Sequence, residues 1–97
     1  MKAPPRWRNE LCQLLASVRT QHEAELLLSD LFTPHEASSL AERWQLIQAL
    51  ASGMPQRDVK KKLKVSISKI TRGSRVLKYG AGGFRLFLNR LPPKRFI

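Results

Sequence analysis

The sequence predicts an all-α protein of five to six helices, and three observations carry that expectation. Apolar residues recur at three- and four-residue spacing along most of the chain. No stretch alternates apolar and polar side chains as a half-buried strand would. Caps, prolines and glycines fall where helices should begin and end. At 97 residues the chain reads as one domain, 1–97, small enough for oligomerisation to help it bury surface.

Trp7, Leu11, Leu14, Leu15 and Val18 stand at i, i+4, i+7, i+8 and i+11, the stripe of a first amphipathic helix. A second, short helix is expected from Glu23 to Leu31. Its run Leu26, Leu27 and Leu28 is apolar around more of the circumference than a surface helix needs, which predicts burial between elements or subunits. Thr33 then offers an N-cap, Pro34 suits the first helical position and Glu36 completes a capping box. The third helix carries Leu40, Trp44, Ile47 and Ala51 on one face and stops at Gly53. Trp7 and Trp44 read as core residues, and Cys12 as a buried, inert thiol.

Pro55 introduces a fourth helix over Gln56–Leu63, with Val59 and Leu63 facing inward. A fifth starts after the cap residue Ser66 and runs to Tyr79, its inward stripe Ile67, Ile70, Ser74 and Leu77. "GAGG" at 80–83 reads as a flexible joint. Beyond it Phe84, Phe87, Leu88 and Leu91 predict a short helix within a C-terminal segment, 84–97, before "PP" ends it.

The charge is divided unevenly. Residues 1–52 hold five Lys/Arg against six acids, whereas residues 53–97 hold thirteen Lys/Arg against Asp58 alone. A near-neutral half that builds structure and a basic half that meets a polyanion is the physical reading. Nucleic acid is the expected partner, with an anionic membrane surface as the rival. No apolar run approaches the ~20 residues of a membrane span, and the start has no apolar signal-peptide core, so a cytoplasmic protein is expected. His22 and His35 are isolated and the cysteine is single, so no metal site is expected. Catalysis has no foothold either: no nucleophile–base pair, no carboxylate pair, no phosphate loop after a strand.

Two short helices joined by a tight turn, about 56–78, have the layout of a helix-turn-helix, whose second helix enters the DNA major groove. Lys60 and Lys64 stand where that pattern often has a small residue and a turn glycine. Consecutive helical residues lie about 100° apart, so with Ile67, Ile70 and Leu77 turned inward, Thr71, Arg75 and Lys78 form an outward ridge. Gly73 is the anomaly. A helix-interior glycine costs about 1 kcal/mol against alanine, so something must approach the backbone there, another helix or a ligand, in a slot beside Arg72.

"TPHEASSLAERWQLIQALASG" followed by "QRDVKKKLKVSISKITRGSRVLK" resembles the tryptophan (Trp) repressor family over about residues 26–79. "FTPHE", the "QR" opening the fourth helix and "ITRGS" in the fifth carry the likeness together. Trp repressors are themselves a standard example of helix-turn-helix docking and water-mediated readout. The resemblance implies an intertwined homodimer that binds operator DNA when loaded with L-tryptophan as corepressor, and so represses tryptophan-operon genes. It puts the ligand between the third and fifth helices, Arg43 and Arg72 flanking the indole and Thr33 and Arg72 holding the carboxylate. The ammonium meets backbone carbonyls near Asp30 and Phe32 of the partner subunit, and Gly73 supplies the gap for the ring. The DNA contacts it implies are Arg57 and Lys60, then Ile67, Ser68, Lys69, Thr71 and Lys78.

Some positions depart from the family pattern. Val76 replaces a serine near the ligand's ammonium, Lys69 replaces a threonine on the DNA side, and "GMPQR" is one residue shorter than the usual connection. A same-fold DNA-binding regulator answering to another ligand or to none is one alternative. A basic RNA-binding module is the other.

Overall fold

A computed structural model describes residues 3–91 of the chain. Among the described residues there are six α-helices and no strand: α1 (Pro5–Ala16), α2 (Gln21–Leu31), α3 (Pro34–Ala51), α4 (Gln56–Leu63), α5 (Ile67–Tyr79) and α6 (Gly83–Arg90). The chain clusters into two compact units, Met1–Ala37 and Ser38–Ile97.

In the Met1–Ala37 unit, α1 opens on prolines with no side-chain cap, whereas side-chain caps set the starts of α2 and α3. Thr20 caps α2: its Oγ1 accepts the Glu23 N–H at 3.1 Å, and Glu23 Oε1 accepts the Arg19 N–H at 2.9 Å. The helix therefore opens at Gln21, two residues before the expected Glu23. The box at Thr33 forms as expected, with Glu36 N–H donating to Thr33 Oγ1 at 3.2 Å and Thr33 N–H donating to Glu36 Oε1 at 2.9 Å. These bonds, the backbone one first, hold the Glu36 carboxyl below its ordinary value.

Burial in this unit departs from expectation. Neither α1 nor α2 has a buried residue. Trp7 is 55% exposed rather than core, Cys12 is exposed rather than buried, and Leu26 and Leu28 are exposed where burial was expected. The stripe is present, but an apolar stripe fixes which face wants cover, not what supplies it.

The Ser38–Ile97 unit has a core built from Leu46 and Ala49 of α3, Val59 of α4, Val65 of the turn and Ile70 of α5, with Leu50, Met54 and Leu63 packed on it. Gly53 ends α3 at φ +90°. Its N–H reaches Leu50 O at 3.1 Å and that of Met54 reaches Ala49 O at 3.3 Å, the two bonds of a Schellman closure. The helix-turn-helix is present: α4 packs on α5, and the turn is made by Lys64 in the left-handed region, φ 55° and ψ 41°. Ser66 caps α5 by accepting the Lys69 N–H at 3.2 Å.

The inward face of α5 is Ile70, Gly73 and, half-buried, Ser74 and Leu77. Ile67 was expected there and instead stands 60% exposed. It begins the helix, where the core has already been closed by Val65 and Ile70. α6 begins after Gly82, φ +92°, and buries Leu88, while the Phe84 ring lies 6.2 Å from that of Trp44 at a 32° tilt. The C-terminal segment beyond Leu91 lies outside the described residues.

Candidate ligand pocket and DNA-facing surface

Arg43, Arg72, Gly73 and Val76, expected at a ligand site, line one cavity of about 130 Å³ between α3 and α5. α3 contributes Glu42, Arg43, Leu46 and Ile47 to its wall, α5 contributes Lys69, Arg72, Gly73 and Val76, and Phe84 adds an aromatic edge. Among the described residues neither arginine has a salt-bridge partner. The cavity is smaller than the ~300 Å³ usual for small-molecule sites. It shares Val76 and Phe84 with an apolar hollow of about 590 Å³, also lined by Trp44, Phe87 and Leu91.

At Gly73 it is another helix, one of the two neighbours expected there, that comes close. Gly73 is buried, and a Cβ built on it would lie 3.1 Å from Leu46 Cδ2 and 3.4 Å from Leu50 Cδ1. The missing side chain lets α5 lie close against α3. At Gly73 itself the gap is filled by leucine, and the cavity is the space left around that contact.

Three expected ligand residues belong to the Met1–Ala37 unit, whereas the cavity is lined from the Ser38–Ile97 unit. Asp30 is exposed in the last turn of α2, and Phe32 is its half-buried C-cap, N–H bonded to Leu28 O at 3.2 Å. Thr33 uses its oxygen as a cap acceptor, which leaves its hydroxyl proton to donate.

The expected DNA residues share one property, exposure. Arg57 and Lys60 stand open on α4, as does Lys78 in the last turn of α5. Ile67, Ser68 and Thr71 line a shallow groove along α5 together with Arg75 and Tyr79. Ile67, Thr71, Arg75 and Tyr79 follow at i, i+4, i+8 and i+12, one continuous ridge. Lys69 behaves otherwise: its Nζ donates to Glu42 Oε1 of α3 at 2.8 Å, and it lines the cavity. Sequence reading missed Glu42. Its partner Lys69 lies 27 positions away, a separation no local pattern reports.

The chain matches the family described as Trp repressor protein over residues 6–92. The chain belongs to the Trp repressor family. It is 37% identical to a Trp operon repressor homolog of Chlamydia caviae over 86 residues, 88% of this chain and 82% of the relative. A Trp operon repressor homolog of Vibrio parahaemolyticus is 36% identical over 81 residues, covering 80% of this chain and 79% of its own. The crystal structure of a candidate Trp repressor from Staphylococcus aureus superposes with a TM-score of 0.85, covering 96% of this chain and 93% of that one, at 22% identity. At that identity the likeness speaks to the fold alone. Trp repressors are transcription regulators rather than enzymes, and membership of the family makes this chain a DNA-binding repressor. Among the described residues no helix is long and apolar enough to cross a membrane.

Proposed function

We propose that this protein is a cytoplasmic, homodimeric repressor that takes L-tryptophan as corepressor and controls tryptophan-operon genes. The observation that carries the reading is the α3–α5 cavity, in which two guanidinium groups, Arg43 and Arg72, without a salt-bridge partner among the described residues, stand beside Leu46, Ile47, Val76 and Phe84. Guanidinium groups stack on an indole and hold a carboxylate through charge-assisted bonds. Thr33 joins Arg72 on the carboxylate by donating its hydroxyl, and backbone carbonyls near Asp30 and Phe32 of the partner subunit meet the ammonium.

The cavity shares α5 with the surface that meets DNA, and this is the route of regulation. Arg57, Lys60 and Lys78 take phosphates, while Ile67, Ser68 and Thr71 meet base edges or ordered water. Two such heads on a two-fold axis need half-sites about 34–36 Å apart. A ligand wedged between α3 and α5 tilts α4 and α5 toward that spacing, with coupling on the order of 1–3 kcal/mol, a 5- to 150-fold switch. The apolar faces of α1 and α2 are the surfaces a partner subunit covers.

Gel-shift titration of tryptophan-operon control DNA with and without L-tryptophan tests this directly. Binding that tightens at least about fivefold with the amino acid supports it, and binding indifferent to the amino acid removes the switch. A same-fold regulator of another ligand is the second reading, favoured by Val76 and by the Lys69–Glu42 pair at the cavity. Calorimetry across the twenty amino acids separates the two.

A further inference from the structure

The α3–α5 cavity has three cations in its wall, Arg43, Lys69 and Arg72, and a single acid, Glu42. Glu42 Oε1 accepts from Lys69 Nζ at 2.8 Å, and the two side chains keep 40% and 57% of their surface in water. An α-amino acid brings one carboxylate and one ammonium to such a wall. Its carboxylate has a choice of guanidinium forks. Its ammonium has one anionic acceptor in the cavity, and another ammonium already holds it. Val76 offers only methyl groups. Backbone carbonyls of a partner subunit can take two of the ligand's N–H bonds, but they bring no charge.

Lys69 is placed for two tasks. It stands in the first turn of α5, its N–H on the Ser66 cap, next to Ser68 of the groove that faces outward. Its four-carbon stem allows the ammonium to serve α3 or to leave it. An exposed ion pair of this kind is worth at most about a fivefold change in an equilibrium, so little holds it in place.

From this we infer that Glu42 is the ammonium-recognising residue of the pocket, and that the ligand's ammonium takes Glu42 from Lys69 and frees Lys69 for a DNA phosphate. The inference rests on the amino-acid pocket proposed above. One ammonium replaces another on the same carboxylate, so no proton moves and the charge at Glu42 stays balanced. The cation released sits on the reading helix, which turns occupancy of the pocket into an added phosphate contact in each protomer.

The test compares L-tryptophan with indole-3-propionate, which keeps the ring and the carboxylate and lacks the ammonium. Calorimetry on the full chain uses the wild type, Glu42→Gln and Lys69→Met, all changes at solvent-facing side chains. Glu42→Gln is expected to weaken L-tryptophan about three- to fivefold and to leave indole-3-propionate unchanged within about 1.5-fold. Lys69→Met, which removes the competitor, is expected to tighten L-tryptophan. In DNA binding, the wild type should steepen its salt dependence by about 2 per dimer when L-tryptophan is added, and Lys69→Met should not. If Glu42→Gln weakens both compounds equally, or neither, Glu42 is only a strut between α3 and α5 and the exchange is overturned while the pocket stands. If the wild type binds neither compound, the pocket and the exchange fall together.

Discussion

Gly73→Ala tests whether the close approach of α3 and α5 is a structural necessity or a feature of the ligand site. Three contributions set the stability change. Replacing a helix-interior glycine by alanine favours folding by about 0.8–1 kcal/mol, and burying one more methyl by about 0.8 kcal/mol. Against these stands overpacking, about 1–3 kcal/mol when a well-packed core must move. The new Cβ meets Leu46 Cδ2 at 3.1 Å, whereas its 3.4 Å to Leu50 Cδ1 and 3.5 Å to Leu46 Cγ are ordinary contact distances. The atom that must yield is the far end of a leucine, by a few tenths of an ångström, which puts the cost in the lower part of that range. The sum lies within about 1 kcal/mol of zero. Leu46 also lines the ligand cavity, and its methyl moves at the expense of a space of about 130 Å³. Fold and ligand binding should therefore separate: a urea midpoint almost unchanged, and an L-tryptophan isotherm weakened about tenfold, roughly 1.4 kcal/mol. A loss of stability beyond about 2 kcal/mol would show that Leu46 cannot yield, and unaltered ligand affinity would show that the cavity beside Gly73 is not where the ring sits.

Lys64→Gly should stabilise the chain, because a left-handed L-residue costs about 1–2 kcal/mol and glycine gives back only part of that through its own entropy. A calorimetric Tm raised by a few degrees is expected. Thr33→Ala removes a side-chain cap and should cost about 1 kcal/mol at neutral pH, read from a urea midpoint. The Glu36 carboxyl is lowered in the folded state, so its contribution is present above the unfolded carboxylate value and is lost as pH falls through the folded one. Wild type should thus lose more stability than Glu36→Gln across an acid series. Arg72→Ala should abolish the response to L-tryptophan while sparing most nonspecific DNA affinity, whereas Lys60→Ala should lower the salt slope by about 1 per bound head and leave ligand binding alone; equal effects of the two changes on both readouts would refute the division of roles.

The helix boundaries that local chemistry decides were legible. Thr33, Gly53 and Ser66 announce their caps, and α4 runs over the residues its proline and apolar spacing predicted. Where the local signal was mixed, the reading slipped. Gln21 and His22 precede the apolar run of α2, so the Thr20–Glu23 box went unread and the helix was begun too late. On α5 the phase was misjudged at Ile67 because a glycine carries no hydrophobic weight. Gly73 is nonetheless an inward residue, and with Ile70 and Leu77 it defines the buried face. Cover cannot be read from a stripe at all: Trp7, Cys12, Leu26 and Leu28 look like core in sequence and are exposed. The Glu42–Lys69 pair spans 27 positions, beyond any local pattern.

The misjudged cover has one physical origin. A chain of this size closes a core around α3, α4 and α5 with Leu46, Ala49, Val59, Val65 and Ile70, and that core is complete without α1 and α2. The apolar residues left outside it are large: Trp7, Leu11, Leu14 and Leu15 on α1, and Leu26, Leu28 and Leu31 on α2. Full burial of one such side chain is worth about 1.5–3 kcal/mol. With each already about half covered, the set leaves on the order of 5–10 kcal/mol unrealised in a single chain, the same order as the roughly 4–15 kcal/mol cost of association, so a second copy on those faces would recover much of that cost. The same unit carries Asp30 and Phe32, the groups proposed to finish the ligand site. A partner subunit seated there would therefore satisfy the stripe and the pocket in one event, and the corepressor would bind a surface that exists only once two chains have met.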